Sequence, residues 1–191
     1  MKSDVIHVSS TGAGISDAVR QTEAVAAFKS LSKNDSLHLL LLTEEMMGMM
    51  KALTGEHEAD FWIEDENGCF MLHLMTETSM TADMREKLLS ASTSGANVAA
   101  KGVMGKIRDI FERIIEPTDA GLPGGFSAGW NFSESGQIVN VWSLSAFKAN
   151  APEDAKEEWD ELEKSVIANI ADEIEIGITG NKVEMIVYKK I

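Results

Sequence analysis

The sequence predicts an α+β fold: a two-layer sandwich in which a mostly antiparallel mixed sheet is covered on one face by helices. Three pairs of β-patterned runs are each joined by a short turn segment, namely Asp65–Gly68, Ser135-Gly136 and Gly180-Asn181. Hairpins of this kind imply antiparallel pairing. Helical patterns stand between the hairpins along the chain. Helices interleaved with antiparallel strands pack as a layer on one face of the sheet.

Length, composition and charge limit what the chain can be. Its 191 residues are 44% hydrophobic and 25% charged, which is typical of a globular chain with one substantial core. The net charge of −14 repels phosphate backbones and anionic lipid headgroups, so we expect no nucleic acid and no membrane among its partners. The first ten residues lack an apolar signal core, and Cys69 is the one cysteine. These features predict a cytoplasmic protein without an internal disulfide.

A strand and two helices open the chain. Asp4–Ser9 alternates polar and apolar residues like a short strand, and a glycine turn ends it. Ser16 and Asp17 offer N-cap oxygens to a first helix, whose apolar stripe continues to about Ser32. A second helix is predicted over Leu37–Leu53. This helix is apolar nearly all round, so we expect it to be the central buried helix.

The clearest local signal is the first hairpin. Ala59–Glu64 and Cys69–Thr76 are β-patterned, and Asn67-Gly68 between them favours the positive φ angles of a type I′ turn. Alternation along the second strand puts Phe70, Leu72 and Leu74 on one face and Met71, His73 and Met75 on the other. Since His73 has no companion at a metal-ligand spacing, we interpret it as a structural residue and predict no metal site.

The rest of the chain continues the alternation of helices and hairpins. Pro152 lies just inside the start of the last helix, where its missing N–H costs nothing. A loop with two prolines and four glycines, 117–129, separates the middle helices from the second hairpin. The predicted elements are helices Thr81–Ser90, Val103–Ile115 and Pro152–Ala171 and strands Trp130–Phe132, Ile138–Phe147, Glu173–Thr179 and Val183–Lys190.

Three stretches together resemble a known family. They are LLLLTEEMMGMMKAL at 39–53, FWIEDENGCFMLHLMTETSM at 61–80 and IANIADEIEIGITGNKVEMIVYKKI at 167–191. With the element order, they resemble the central helix, the following hairpin and the closing helix and hairpin of histidine-kinase-like (GHKL) ATPases, nearest to anti-sigma-factor serine kinases. The resemblance implies a single domain over 1–191 of the histidine-kinase-like ATPase type, with a divergent insertion at about 95–150.

The resemblance also implies an ATP and magnesium site on the central helix. In the family a glutamate acts as general base, and an asparagine four residues later holds magnesium and phosphate oxygens. Glu45 and Glu44 are the candidate catalytic residues, and the asparagine position falls on Met49 or Gly48. Neither residue offers the oxygen ligand that magnesium needs. Because two adjacent carboxylates cannot both be buried comfortably, we expect one of them to face solvent, a pocket or a partner.

The other parts of the family's nucleotide site are altered as well. Where an aspartate–x–glycine motif reads the adenine amino group, this chain has Thr76-Glu77-Thr78, so Glu77 is the candidate adenine contact. The lid segment retains Lys101 and Lys106 as candidate phosphate contacts. The stretch before the closing helix has no glycine-rich loop and is strongly acidic, which repels phosphates.

A familiar layout with an altered site predicts a regulatory domain that is non-catalytic or binds nucleotide weakly. We expect it to act through protein–protein contacts in signalling or transcription, without ATP or magnesium as a firm cofactor. Because anti-sigma relatives dimerise, the resemblance also implies a homodimer. Two alternatives stay open at this point. One is an ATP-binding serine/threonine protein kinase of the anti-sigma-factor type, and the other is an unrelated α+β module that binds a small ligand.

Overall fold

The computed structural model describes residues 1–52, 57–77, 139–145, 166–179 and 181–191, and these residues form an α+β arrangement with antiparallel strands. The neighbouring strands β1 and β2, β2 and β3, and β4 and β5 pair antiparallel. The strands form one sheet in the order β1-β2-β3-β6-β5-β4. The element bounds are β1 Ile6–Ser9, α1 Ile15–Phe28, α2 Lys33–Ala52, β2 Glu58–Glu66, β3 Cys69–Glu77, β4 Val139–Ser143, α3 Val166–Ile170, β5 Glu173–Thr179 and β6 Lys182–Lys190.

The chain divides into two compact units. The first contains Met1–Thr76, Val166–Ile174 and Met185–Ile191, and the second contains Glu77–Ser165 and Glu175–Glu184. The helices expected at 81–90 and 103–115 and the strand expected at 130–132 lie outside the described residues, and the single domain with an insertion at 95–150 stays a prediction. None of the helices in the described ranges is long and apolar enough to cross a membrane.

The β2–β3 hairpin confirms the predicted type I′ turn. Asn67 has φ 53° and Gly68 has φ 84°, the two positive angles that this turn requires. Both strands extend further than expected, so the turn has two residues and Glu66 pairs with Cys69. A Cβ on Gly68 would stand 2.8 Å from the backbone oxygen of Ile191, whose N–H donates to the Gly68 oxygen. The glycine therefore serves both the turn and a close backbone approach.

Alternation along β2 and β3 gives the hairpin two different faces. The face that we call inner carries side chains that are at most 5% exposed: Ala59, Phe61, Ile63, Phe70, Leu72 and Leu74. The face that we call outer carries Asp60, Trp62, Glu64, Met71, His73 and Met75. The predicted division of β3 into these two sets is confirmed. Helix α1 contacts β1 and β2, and α2 contacts α1 and α3.

Helix α1 begins and ends differently from the prediction. It begins at Ile15 with Gly14 as its N-cap, so the expected N-cap residues Ser16 and Asp17 lie in its first turn. Gly14 has φ 74°, and a Cβ there would stand 1.9 Å from the backbone oxygen of His7, so only glycine fits. The helix ends at Phe28, four residues early, because Ser30 adopts φ 53° and starts a Schellman motif.

Helix α2 begins at Lys33, four residues before the expected start, and Ser32 caps it. The Asp35 backbone N–H donates to Ser32 Oγ at 3.2 Å, and the Ser32 hydroxyl donates to the Asp35 carboxylate at 2.6 Å. The helix is not buried all round, because one side of it is exposed: Lys33, Leu37, Glu44, Gly48 and Lys51. Its opposite side is buried, and within it the hydroxyls of Thr43 and of Thr22 on α1 lie 2.9 Å apart.

Candidate functional site

Glu44 and Glu45, the candidate catalytic carboxylates, have different environments on α2. Glu44 lies on the exposed side of the helix, and Glu45 is half-buried. The expectation that one of the two must leave the core is therefore confirmed, and Glu44 is that residue. Of the two carboxylates, only Glu45 is partly withdrawn from solvent.

Met49, one of the two candidates for the expected asparagine position, belongs to the core. It is 7% exposed, and the neighbouring Met46, Met47 and Met50 are at most 1% exposed. Thioethers are soft, weak ligands, whereas magnesium takes hard oxygen ligands. Gly48, the alternative position, faces open space, since no atom lies within 4 Å of where its Cβ would stand. Neither alignment of the motif supplies an oxygen donor at this point of the helix.

The remaining candidate nucleotide contacts are only partly described. Glu77 is the last residue of β3, and it is exposed. Lys101 and Lys106 lie outside the described residues. The structure thus brings Glu44, Glu45 and Met49 together on one helix.

The outer face of the hairpin holds a second group of functional side chains, which sequence reasoning did not assemble. Trp62 and His73 are directly paired across β2 and β3. Their rings stack with centroids 4.6 Å apart and an interplanar angle of 8°, and each residue is only 7% exposed. Such stacking fixes the orientation of the indole. The structural interpretation of His73 is therefore supported by a specific partner, Trp62.

Lys2 and Glu64 complete this group, which we call the outer-face cluster (Lys2, Trp62, Glu64 and His73). Lys2 Nζ lies 4.5 Å from the centroid of the Trp62 ring and 2.9 Å from Glu64 Oε1. The same carboxylate oxygen accepts a hydrogen bond from Trp62 Nε1 at 2.8 Å. The hydrogen bond from Lys2 is the largest of the causes that hold the pKa of Glu64 below its ordinary value. Burial opposes this shift, and the indole N–H and nearby positive charge add to it.

One edge of the outer face carries a histidine–aspartate pair. His7 on β1 stands opposite Asp60 on β2, and its Nδ1 lies 2.5 Å from Asp60 Oδ1. The His7 side chain is 85% exposed, so water competes with this contact. The pair has the hydrogen bond of a general base and its orienting carboxylate, but it lacks the exclusion of water that strengthens such a pair.

Asp65 is the charged residue at the rim of the inner face. Its carboxylate forms an ion pair with Lys29 at the end of α1, and it accepts the Gly68 backbone N–H at 3.1 Å. The Lys29 hydrogen bond, followed by that of Gly68, holds the pKa of Asp65 below its ordinary value against the opposing effect of burial. This pair ties α1 to the hairpin turn and is structural.

Among the residues that the structure describes, no group of three or more His, Cys, Asp or Glu side chains could hold a metal ion.

A signal for the outer-face cluster was present in the sequence. Trp62 and Glu64 are two residues apart on one strand and share a face, and the Asn67-Gly68 turn sets His73 opposite Trp62.

The comparisons with known proteins add no relative. No protein-family model matches the chain, and no curated protein is significantly similar to it. Any functional assignment therefore depends on the motif stretches and on the side-chain geometry.

Proposed function

We propose that this chain is a regulatory domain of the histidine-kinase-like ATPase type that is non-catalytic or binds nucleotide only weakly. It acts through protein–protein contacts in signalling or transcription. The proposal includes the two-layer sandwich of that family. Two observations support the layout: α1 contacts β1 and β2, and the order from β1 through the first hairpin follows the family pattern. Fold alone does not determine function. The choice between a domain that retains the family's ATP chemistry and one that lacks it therefore depends on the residues at the nucleotide site.

The observation that carries the proposal is the burial of Met49. An asparagine that holds magnesium must present its side-chain oxygen to the nucleotide. Met49 instead packs beside Met46, Met47 and Met50, all of them at most 7% exposed. Four buried thioethers suit core packing rather than phosphate binding. The acidic net charge of −14 further disfavours a polyphosphate ligand.

Titration calorimetry with Mg·ATP tests this proposal directly. We expect no saturable heat in the micromolar range of Mg·ATP, with magnesium alone as the control. A thermal unfolding series with the same ligand gives an independent measure. A dissociation constant of about 10 μM would stabilise the fold by about 2.7 kcal/mol at 1 mM ligand. Binding in the micromolar range would overturn the proposal.

The alternative is an ATP-binding serine/threonine kinase of the anti-sigma-factor type, and Glu45 is the observation that favours it. Glu45 is half-buried on α2, between a buried side and an exposed side. If ATP binds and is turned over, Glu45→Gln should lower the rate at least about 100-fold, since general-base catalysis contributes about that much. Glu44→Gln, on the exposed side of the same helix turn, is the matched control and should leave the rate unchanged.

The expected partner is a protein, and the resemblance also implies a second copy of the chain. Phe28, at the end of α1, is 75% exposed, and large aromatic side chains of this kind are enriched in protein interfaces. Light scattering on the calorimetry sample measures whether the chain is a homodimer. If the chain is a monomer, the expected partner is a different protein.

A further inference from the structure

The outer-face cluster already holds one alkylammonium group, the side-chain head of Lys2. The Trp62 indole is fixed by its stack on His73, which approaches from the β3 side of β2. Lys2 bridges to Glu64 from the β1 side of the same strand, so Lys2 and His73 reach the indole from opposite sides. An aromatic face attracts a cation because its π electrons are negative, and Trp is the strongest of the three aromatic residues in this respect.

Glu64 makes this aromatic face selective for an ammonium group. One carboxylate oxygen accepts both the Lys2 ammonium at 2.9 Å and the Trp62 indole N–H at 2.8 Å. The indole hydrogen bond holds the carboxylate beside the ring even when no cation is present. A carboxylate and an aromatic face around one point form a preorganised site for a positively charged amine.

The backbone that carries Lys2 runs along β2 as an extended segment. Ser3 N–H donates to the Ile63 oxygen at 2.8 Å, and Asp65 N–H donates to the Met1 oxygen at 2.8 Å. The Ile63 N–H donates to Ser3 Oγ at 2.9 Å. Met1–Ser3 therefore shows the conformation in which a lysine reaches the cluster: extended, beside the edge of β2. Strand addition of this kind combines backbone hydrogen bonds with a side-chain site.

We propose that Trp62 and Glu64 form a docking site for a lysine of an extended peptide segment from a partner protein, and that Lys2 occupies this site within its own chain. Lys2 is exchangeable because its side chain is 55% exposed, whereas Trp62 is 7% exposed and stays in place. The negative charge of Glu64, within a chain of net charge −14, complements a basic segment and disfavours a second copy. The inference does not depend on the proposed function, since the cluster shares no residue with the nucleotide positions.

The test removes the Lys2 side chain from the site and supplies a lysine on a separate peptide. With the Lys2→Ala variant of the whole 191-residue chain, the probe is the blocked peptide acetyl-Gly-Lys-Gly-amide. Its binding is followed through the Trp62 indole N–H signal in NMR spectra assigned with Trp62→Phe. We expect a saturable shift with half-saturation at about 1–10 mM, as suits one contact of a larger interface. Wild-type protein should show at least a tenfold weaker response, because Lys2 competes within the chain.

Three further measurements test the roles of the lysine charge, of Glu64 and of the peptide backbone. The norleucine analogue of the peptide has the same stem without the charge and should give no shift. The double variant Lys2→Ala/Glu64→Gln should bind at least fivefold more weakly than Lys2→Ala alone. Butylammonium tests the side chain without a peptide, in a variant that lacks residues 2 and 3 so that the edge of β2 is free for the peptide backbone. It should bind at least threefold more weakly than the peptide to that variant. If Lys2→Ala does not fold, Lys2→Ser, which also leaves the face of the indole open, replaces it.

The outcomes separate the possibilities. No shift with either amine in a folded Lys2 variant overturns the site. Equal binding of butylammonium and the peptide overturns the assignment to a lysine segment and identifies a free amine as the ligand. Equal binding of the lysine and norleucine peptides overturns the role of the charge.

Discussion

The two faces of the β2–β3 hairpin are built from alternate residues of the same strands, yet different forces stabilise them. Phe61, Ile63, Leu72 and Leu74 on the inner face are at most 1% exposed, and their contribution grows with the apolar area removed from water. The outer face depends on directed contacts: the stack of Trp62 on His73 and the ion pair of Lys2 with Glu64 are the main ones. The inner face thus holds the fold together, and the outer face offers specific chemistry.

The contrast explains where charge is tolerated. Burial of an ionised side chain is costly unless hydrogen bonds and an opposite charge compensate it. Asp65 is the ionised residue of the hairpin's inner face, and it lies at the rim, where Lys29 and the Gly68 N–H reach it. On the outer face Asp60 and Glu64 are only half-buried and keep contact with water.

The largest difference should appear when one side chain is truncated on each face of β3. Leu72→Ala removes a fully buried side chain and leaves a cavity, so we expect a loss of about 2–5 kcal/mol in the free energy of unfolding. Met71→Ala, its half-buried neighbour on the outer face, should cost about 1 kcal/mol or less. Urea unfolding followed by circular dichroism measures both. Similar losses for the two variants would show that the outer face is packed like a core.

The second prediction concerns Asp65, the charge on the inner face. Asp65→Asn keeps the shape but removes the charge facing Lys29, so we expect a loss of about 1–3 kcal/mol at pH 7. Because the folded pKa of Asp65 is lowered, the folded state binds fewer protons than the unfolded chain in the acid range. The stabilisation is therefore present above the unfolded pKa of about 3.9 and is lost as the pH falls through the folded pKa.

Urea unfolding at pH 7, 5 and 3 checks this dependence. The difference between wild type and Asp65→Asn should be constant from pH 7 to about 5 and should shrink below about 4. Glu64→Gln is the matched control on the outer face. The pKa of Glu64 is lowered too, but its side chain is 29% exposed, so the same change should have a smaller effect. A pH-independent difference for Asp65→Asn would contradict the ion-pair account.

Much of the hairpin was predictable, because its turn is encoded locally. Asn67-Gly68 fixes a two-residue turn, and residues equally far from it must face each other. Trp62 lies five residues before Asn67 and His73 five after Gly68, so their pairing follows from the turn. That one of Glu44 and Glu45 must leave the core was also predictable, because two adjacent carboxylates cannot both be buried comfortably. Which of the two does so was not predictable from the helix pattern, and the structure shows that it is Glu44.

What escaped prediction depends on contacts between distant residues or on unusual backbone angles. Lys2 and Glu64 are 62 positions apart in the sequence, and no local sequence pattern predicts their contact. Ser30 ends α1 in a left-handed conformation that glycine normally marks, so the helix pattern seemed to continue to Ser32. Ser32 then caps α2, which moved the start of α2 to Lys33.

The smallest effect should come from the most exposed contact of the outer face, the pair of His7 and Asp60. A short distance alone does not make the pair strong, because the 85% exposed imidazole exchanges its partner for water at little cost. We expect His7→Gln to change the free energy of unfolding by no more than about 0.5 kcal/mol, and a double-mutant cycle with Asp60→Asn to give a coupling of about 0–1 kcal/mol. A larger coupling would mean that the edge of the outer face is shielded from water and contributes to the fold as the inner face does.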